Sequence, residues 1–238
     1  MILLPAIPQD ITYHQFADQR TIFGIPHFLN VVSNIPYLLF GLIGYYLLIK
    51  ESQLAIMLSL KHAYKFFFVG VSLICFGSGY YHLNPSNATL LWDRLPMTLA
   101  FMSFFTVIVG EYIHEKTARQ LLYPLLITGL LSVIYWYWSE TIGQGDLRFY
   151  ILVQFLPIIL MPIILWLFST HFSHGHYYWL IIACYVLAKI FELADQLVFE
   201  TLVFISGHSI KHLISAIAPY LFYLALKNRQ SDDANISK

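Results

Sequence analysis

Two histidines, His208 and His212, stand four residues apart in the stretch SGHSIKH, a spacing that puts both side chains on one face of an α-helix. A third, His82, follows Ser78 at the same interval in GSGYYHLN, and Asp93 lies in LWDRLPM. Neutral imidazole nitrogens are common zinc ligands, and a catalytic zinc takes three protein ligands plus one open position. His82, His208 and His212 supply three. Such an ion acidifies water and polarises a carbonyl, which is what hydrolysis of an inert bond requires. Asp93 could then take the proton of the attacking water and return it to a leaving amine, while Ser78 donates to the developing oxyanion or to the water. The metal could also be structural only.

Each residue has a plainer explanation beside that one. An isolated histidine pair in an apolar helix is often an interhelical donor, Asp93 ahead of Leu95, Pro96 and Met97 reads as a helix cap, and Gly77-Ser78-Gly79 reads as a close helix contact through small residues. The elements that carry these residues decide between the two.

Of the 238 residues, 58% are hydrophobic and only 11% charged, far from the roughly 45–50% apolar, 25% charged profile of soluble domains. The composition is that of a membrane protein. A formal net charge of zero and the lack of a basic tract exclude electrostatic capture of nucleic acid. Cys75 and Cys184 both sit in apolar runs, which suits buried hydrophobes better than a disulfide framework. The opening MILLPAIPQDITYH has two prolines and no basic region, so it does not read as a cleavable signal peptide.

A bilayer core takes about 20 apolar residues as helix. Seven such segments occur, near 27–49, 65–82, 94–113, 120–138, 149–169, 177–197 and 208–226, joined by short polar links. The expected fold is all-α, a single seven-span bundle over residues 1–238, with an N-terminal segment 1–26 and a polar tail 227–238. Lys50, Lys61, Lys65, Lys116, Arg119, Lys227, Arg229 and Lys238 gather on one side, against Arg20, Arg94 and Arg148 on the other. The first side is therefore expected to be cytosolic, with the N-terminus extracytoplasmic or lumenal and the C-terminus cytosolic. On this topology the end of the second span and the starts of the third and seventh share one depth. Three histidines, a carboxylate and a hydroxyl, remote in sequence, meet there.

Other polar clusters carry less. His171, His174 and His176 form a loop group on the opposite side, and His14, His27, His62 and His114 flank the spans without an evident partner. Lys189, Glu192 and Asp195 recur at three-residue spacing in the sixth span, where ionisable groups cost about 2.5–3.5 kcal/mol each on insertion scales. They are expected to face the bundle interior, as a locking ion set or a substrate headgroup contact, with Lys211 as a counter-charge. Tyr135, Trp136, Tyr137 and Trp138 read as an interfacial belt.

With NVVSNIPYL in the first span, GSGYYHLNPSNATLLWDRLPM across the second and third, and SGHSIKHLISA opening the seventh, the chain resembles the alkaline ceramidase family of the CREST superfamily of membrane hydrolases. The resemblance implies that His82, His208 and His212 hold zinc, that Asp93 acts on the attacking water and that Ser78 supports the oxyanion. It also implies a lumenal N-terminus and a lipid substrate, ceramide or another N-acyl lipid. The acidic calcium-binding segment of animal members is missing: ADQRTIFGIPHFLN holds Asp18 as its one carboxylate, and calcium needs six to eight oxygen ligands, so no Ca2+ site is expected. The compact length and HSIKH are closer to bacterial members. Two other classes compete with a zinc amidase: a receptor-like or regulatory seven-span protein with a structural metal, and a b-type haem protein using His82 with His208 or His212. Oligomeric state leaves no mark in the sequence.

Overall fold

The computed structural model describes residues 5–50 and 54–230, so most of the polar tail and part of the first link lie outside the described residues. Every long apolar run forms a helix, and no strand forms among the described residues. The helices are α1 (Phe28–Val32), α2 (Ile35–Ile49), α3 (Lys61–Leu83), α4 (Asn87–Tyr112), α5 (Glu115–Thr141), α6 (Arg148–Leu167), α7 (His176–Leu193), α8 (Asp195–Leu202) and α9 (Gly207–Asn228). Seven segments are long and apolar enough to cross a bilayer, the first made of α1 and α2 together, and the protein is a multi-pass membrane protein of all-α fold.

Several spans are longer than the apolar runs suggested. The third begins at Asn87, not near residue 94, because Ser86 accepts from the Thr89 amide and Thr89 answers the Ser86 amide in a reciprocal cap. Asp93 therefore sits inside α4 and caps nothing. The sixth span is shorter than expected: it ends at Leu193, and Asp195 opens the separate α8. Pro36 falls in the first turn of α2, where its missing N–H goes unfelt, and the break at Asn34 splits the first span.

α4 is the most buried span. It packs on α3, α5 and α6, while α9 packs on α2 and α7; α6 and α7 barely touch. Two cores result. One surrounds Tyr64, Phe67, Phe68, Phe104, Tyr178 and Phe222, at whose edge lies the buried Glu111–Arg229 ion pair at 2.8 Å. The other, at the opposite end, gathers Phe16, Tyr81, Leu90, Val133, Trp136 and Tyr150. Trp136 is fully buried there, with the Arg94 guanidinium over its ring, so it belongs to the core and not to an interfacial belt.

The glycines flanking Ser78 differ. A Cβ on Gly77 would meet the Trp92 carbonyl oxygen at 2.1 Å, whereas one on Gly79 would meet no atom within 4 Å. Gly77 is thus where α3 and α4 touch backbone to backbone. Gly77→Ala is expected to destabilise the bundle by about 1–3 kcal/mol, and Gly79→Ala to be neutral or to stabilise by up to about 1 kcal/mol. Thermal unfolding in detergent reads both; equal midpoints would contradict the contact.

Candidate metal centre

The end of α3 and the first turns of α9 bring His82, His208 and His212 together. Their ring centroids lie 4.8–5.0 Å apart, and one ligand atom from each falls within 4.8 Å of the others. Among the described residues this is the one such group of three or more histidine, cysteine or acidic side chains. The three residues are 1%, 4% and 4% exposed. His171, His174 and His176 form no comparable group, although the last two lie near each other.

The donor geometry suits a tetrahedral ion. The Nε2 atoms of His82 and His208 are 3.3 Å apart, and two nitrogens each about 2.0–2.1 Å from a tetrahedral zinc lie about 3.3–3.4 Å from one another. The remaining pairs lie within 4.8 Å. The tautomer of His212 also fits. The Ser33 hydroxyl donates to the Asn30 carbonyl oxygen at 3.3 Å, so its oxygen accepts from Nδ1–H of His212 at 2.8 Å, which leaves Nε2 with a free lone pair. Nδ1 of His82 is buried without a partner.

Asn30 and Ser33 come from NVVSNIPYL, and neither was marked as a site residue by its type. Asn30 Oδ1 also accepts from Ser209 Oγ at 2.6 Å, tying α1 to the first turn of α9. That turn is fixed further by Ser206, which caps it by accepting from the Ser209 amide. Asp195 Oδ1 accepts from the His208 amide at 2.7 Å, and its other oxygen accepts from the Ala17 amide at 2.9 Å. Asp195 is therefore no part of the lysine set on α7: past the break at Ala194 it turns to the metal end.

The N-terminal segment lies across this end as a strap. Phe16 sets its ring edge-on to His82 and His208 at 4.6 and 4.5 Å. His14 accepts from the Tyr81 hydroxyl and donates to Asn87, both at 2.9 Å, and His27 donates to the His82 carbonyl at 2.9 Å. Both histidines thus have partners, as do His62 with Tyr123 and His114 with Thr117. Asp18 is held by Arg20 at 2.6 Å, and Arg20 reaches the Phe204 carbonyl. Burial pushes the Asp18 carboxyl up, but the hydrogen bonds from Arg20 outweigh it and hold the group below the usual carboxylate range.

A cavity of about 360 Å³ adjoins the cluster. Its polar wall carries Ser78, Asp93, His212, Lys211 and Glu192, and its apolar arm runs past Phe67, Phe101, Phe104, Phe155 and Ile158. Ser78 and Asp93 share that wall. Lys211 donates to Glu192 Oε1 at 2.5 Å, and Lys189 pairs with the other oxygen. Lining residues come from both α6 and α7, so the cavity lies along the seam where those spans scarcely meet.

No protein-family model matches the chain, and no curated protein matches it either.

Protein purified without chelators is expected to carry one divalent ion per chain, and His82→Ala or His208→Ala to lose it, as read by elemental analysis. Asp195→Ala leaves all three imidazoles in place but frees the His208 amide. Orientation of ligands by their hydrogen-bond partners is worth about 10–100-fold in metal affinity, so a drop of that size is expected in a chelator competition titration.

Proposed function

We propose that this protein is a zinc-dependent intramembrane amidase that hydrolyses the N-acyl amide of ceramide or a related lipid to a long-chain base and a fatty acid. The observation that carries this reading is the placing of His212, Ser78 and Asp93 on the polar wall of one cavity whose other arm is apolar. A structural metal has no use for a carboxylate–hydroxyl pair beside it or for a hydrophobic arm of that kind. The resemblance to the alkaline ceramidases supports the same assignment.

A zinc ion held by His82, His208 and His212 would polarise the amide carbonyl and lower the pKa of water toward about 7. The residues of the chain supply the remainder. Asp93 takes the proton of the attacking water as the new C–O bond forms, and returns it to the amine nitrogen as the C–N bond breaks. Ser78, which lines the same cavity, turns its hydroxyl to the carbonyl oxygen as charge grows there. The acyl chain lies against Phe67, Phe101, Phe104, Phe155 and Ile158. A lipid enters sideways along the seam between α6 and α7, without leaving the bilayer. Phe16, packed on His82 and His208, keeps water off the far side of the imidazoles.

The Lys and Arg bias of the links favours placing the metal end on the extracytoplasmic or lumenal side, with the C-terminus in the cytosol.

Asp93→Asn is expected to retain metal and to lose about 10²–10⁴-fold in turnover of an N-acylated sphingoid base, measured by mass spectrometry of the released fatty acid. Ser78→Ala is expected to retain metal and lose about 10²–10³-fold. Full activity in Asp93→Asn would remove the proposed base. Wild-type protein with a full complement of metal and no turnover of any N-acyl lipid would favour the receptor-like alternative.

A further inference from the structure

The cavity wall carries more positive charge than it neutralises. Arg94, Lys189 and Lys211 line it against Asp93 and Glu192. Both oxygens of Glu192 are taken by the two lysines, and one carboxylate cannot balance two ammonium groups.

Arg94 is the sharper case. It is 6% exposed, its guanidinium is stacked over Trp136 at 4.0 Å and Tyr150 at 4.5 Å, and Nη2 donates to Gln9 Oε1 at 2.7 Å. Nη1 is buried with no hydrogen-bond partner, and Arg94 makes no ion pair with a carboxylate among the described residues. Asp93 precedes it directly and lines the same cavity, but the two make no ion pair. A buried guanidinium with no carboxylate in direct contact is costly to hold in a bundle that spans a bilayer, and aromatic faces offset only part of that cost. Its planar fork suits a carboxylate or a phosphate.

The position of Arg94 says which part of a ligand would reach it. Gln9 and Tyr13 of the strap line the cavity with it, and Trp136 and Tyr150 behind it belong to the core at the metal end, whereas the lining residues Phe104 and Met161 belong to the core at the other end. With an acyl chain in the arm and its amide at Asp93 and Ser78, the group beyond the amide nitrogen meets Arg94. We infer that the preferred substrate of this site is an N-acyl lipid bearing an oxyanion, carboxylate or phosphate, on its amine-derived part, with Arg94 as the specificity-determining residue and the lysine pair adding to the field. This rests on the amidase reading and narrows it: neutral ceramide would be the poorer ligand.

The test reads binding without turnover. Hydrolysis-resistant sulfonamide analogues of N-palmitoylglycine, of the neutral N-palmitoylethanolamine and of its phosphate ester would be titrated into the full-length, metal-loaded protein in nanodiscs. At least one anionic analogue is expected to bind at least tenfold more tightly than the neutral one, and the two anionic arms separate carboxylate from phosphate. Arg94→Gln is expected to bring that ratio to within about twofold. Should that variant fail to fold without its aromatic stack, Lys189→Gln, on a half-exposed side chain, is expected to lower the ratio at least twofold. Equal affinity of the wild type for charged and neutral analogues overturns the proposal. The amidase reading fails separately: preserved discrimination with no hydrolysis of any parent lipid removes the chemistry and keeps the anion site, and equal binding with ready hydrolysis does the reverse.

Discussion

Asp195 joins three pieces of chain remote in sequence. Its two oxygens accept from the backbone amides of Ala17 and His208, so one carboxylate joins the strap to the first turn of α9 from a position just past the end of α7. The His208 amide belongs to a helix start, where N–H groups lack intrahelical acceptors and the macrodipole favours a negative charge. Capped in this way, α9 presents His208 and His212 one turn apart, and Ala17 carries its neighbour Phe16 over the same rings. Gly207 makes the approach possible, since a Cβ there would strike the Phe191 carbonyl at 2.2 Å.

The two ends of the bundle treat buried polarity in opposite ways. At the tail end, Glu111 accepts from Tyr64, Tyr178 and Arg229, and Arg229 also donates to the Ala55 carbonyl. That network is closed, and closed networks rigidify. At the metal end, His82 Nδ1, Asn30 Nδ2, Asn34 Oδ1 and Arg94 Nη1 are buried without partners. Buried polar groups are nearly always satisfied, and unsatisfied ones tend to collect where a protein trades stability for function. The tail end is the better satisfied of the two, although Ser59 Oγ there is also buried without a partner.

Much of this was legible in the sequence, for a simple reason. Apolar runs of bilayer length alternate in direction, so the end of the second span and the starts of the third and seventh must share a depth. Ser78, His82, Asp93, His208 and His212 meet on that count alone. What the sequence hid depends on contacts that periodicity does not encode. Residues 5–27 have no helical pattern, so the strap and the partners of His14 and His27 were invisible. Lys189, Glu192 and Asp195 were placed on one face because an unbroken helix was assumed, and the break at Ala194 turns Asp195 away while leaving Lys189 and Glu192 paired. Arg94 counts in the sequence among the basic residues of the extracytoplasmic side, although α4 begins earlier than its apolar run and carries Arg94 into the core.

The earlier start of α4 has a further consequence for chemistry. Because Ser86 rather than Asp93 caps the helix, the Asp93 carboxylate is spared from binding backbone amides and faces the cavity with Ser78 as its neighbour. A carboxylate spent on a cap is a poor base, since the amides that hold it also stabilise its ionised form. One left on a cavity wall with a single hydroxyl beside it can exchange a proton with a ligand. With the cap seven residues upstream, Asp93 does not serve as a helix cap. The same shift seats Arg94 between Trp136 and Tyr150, so the carboxylate and the unpaired guanidinium beside it follow from one reciprocal Ser86–Thr89 cap.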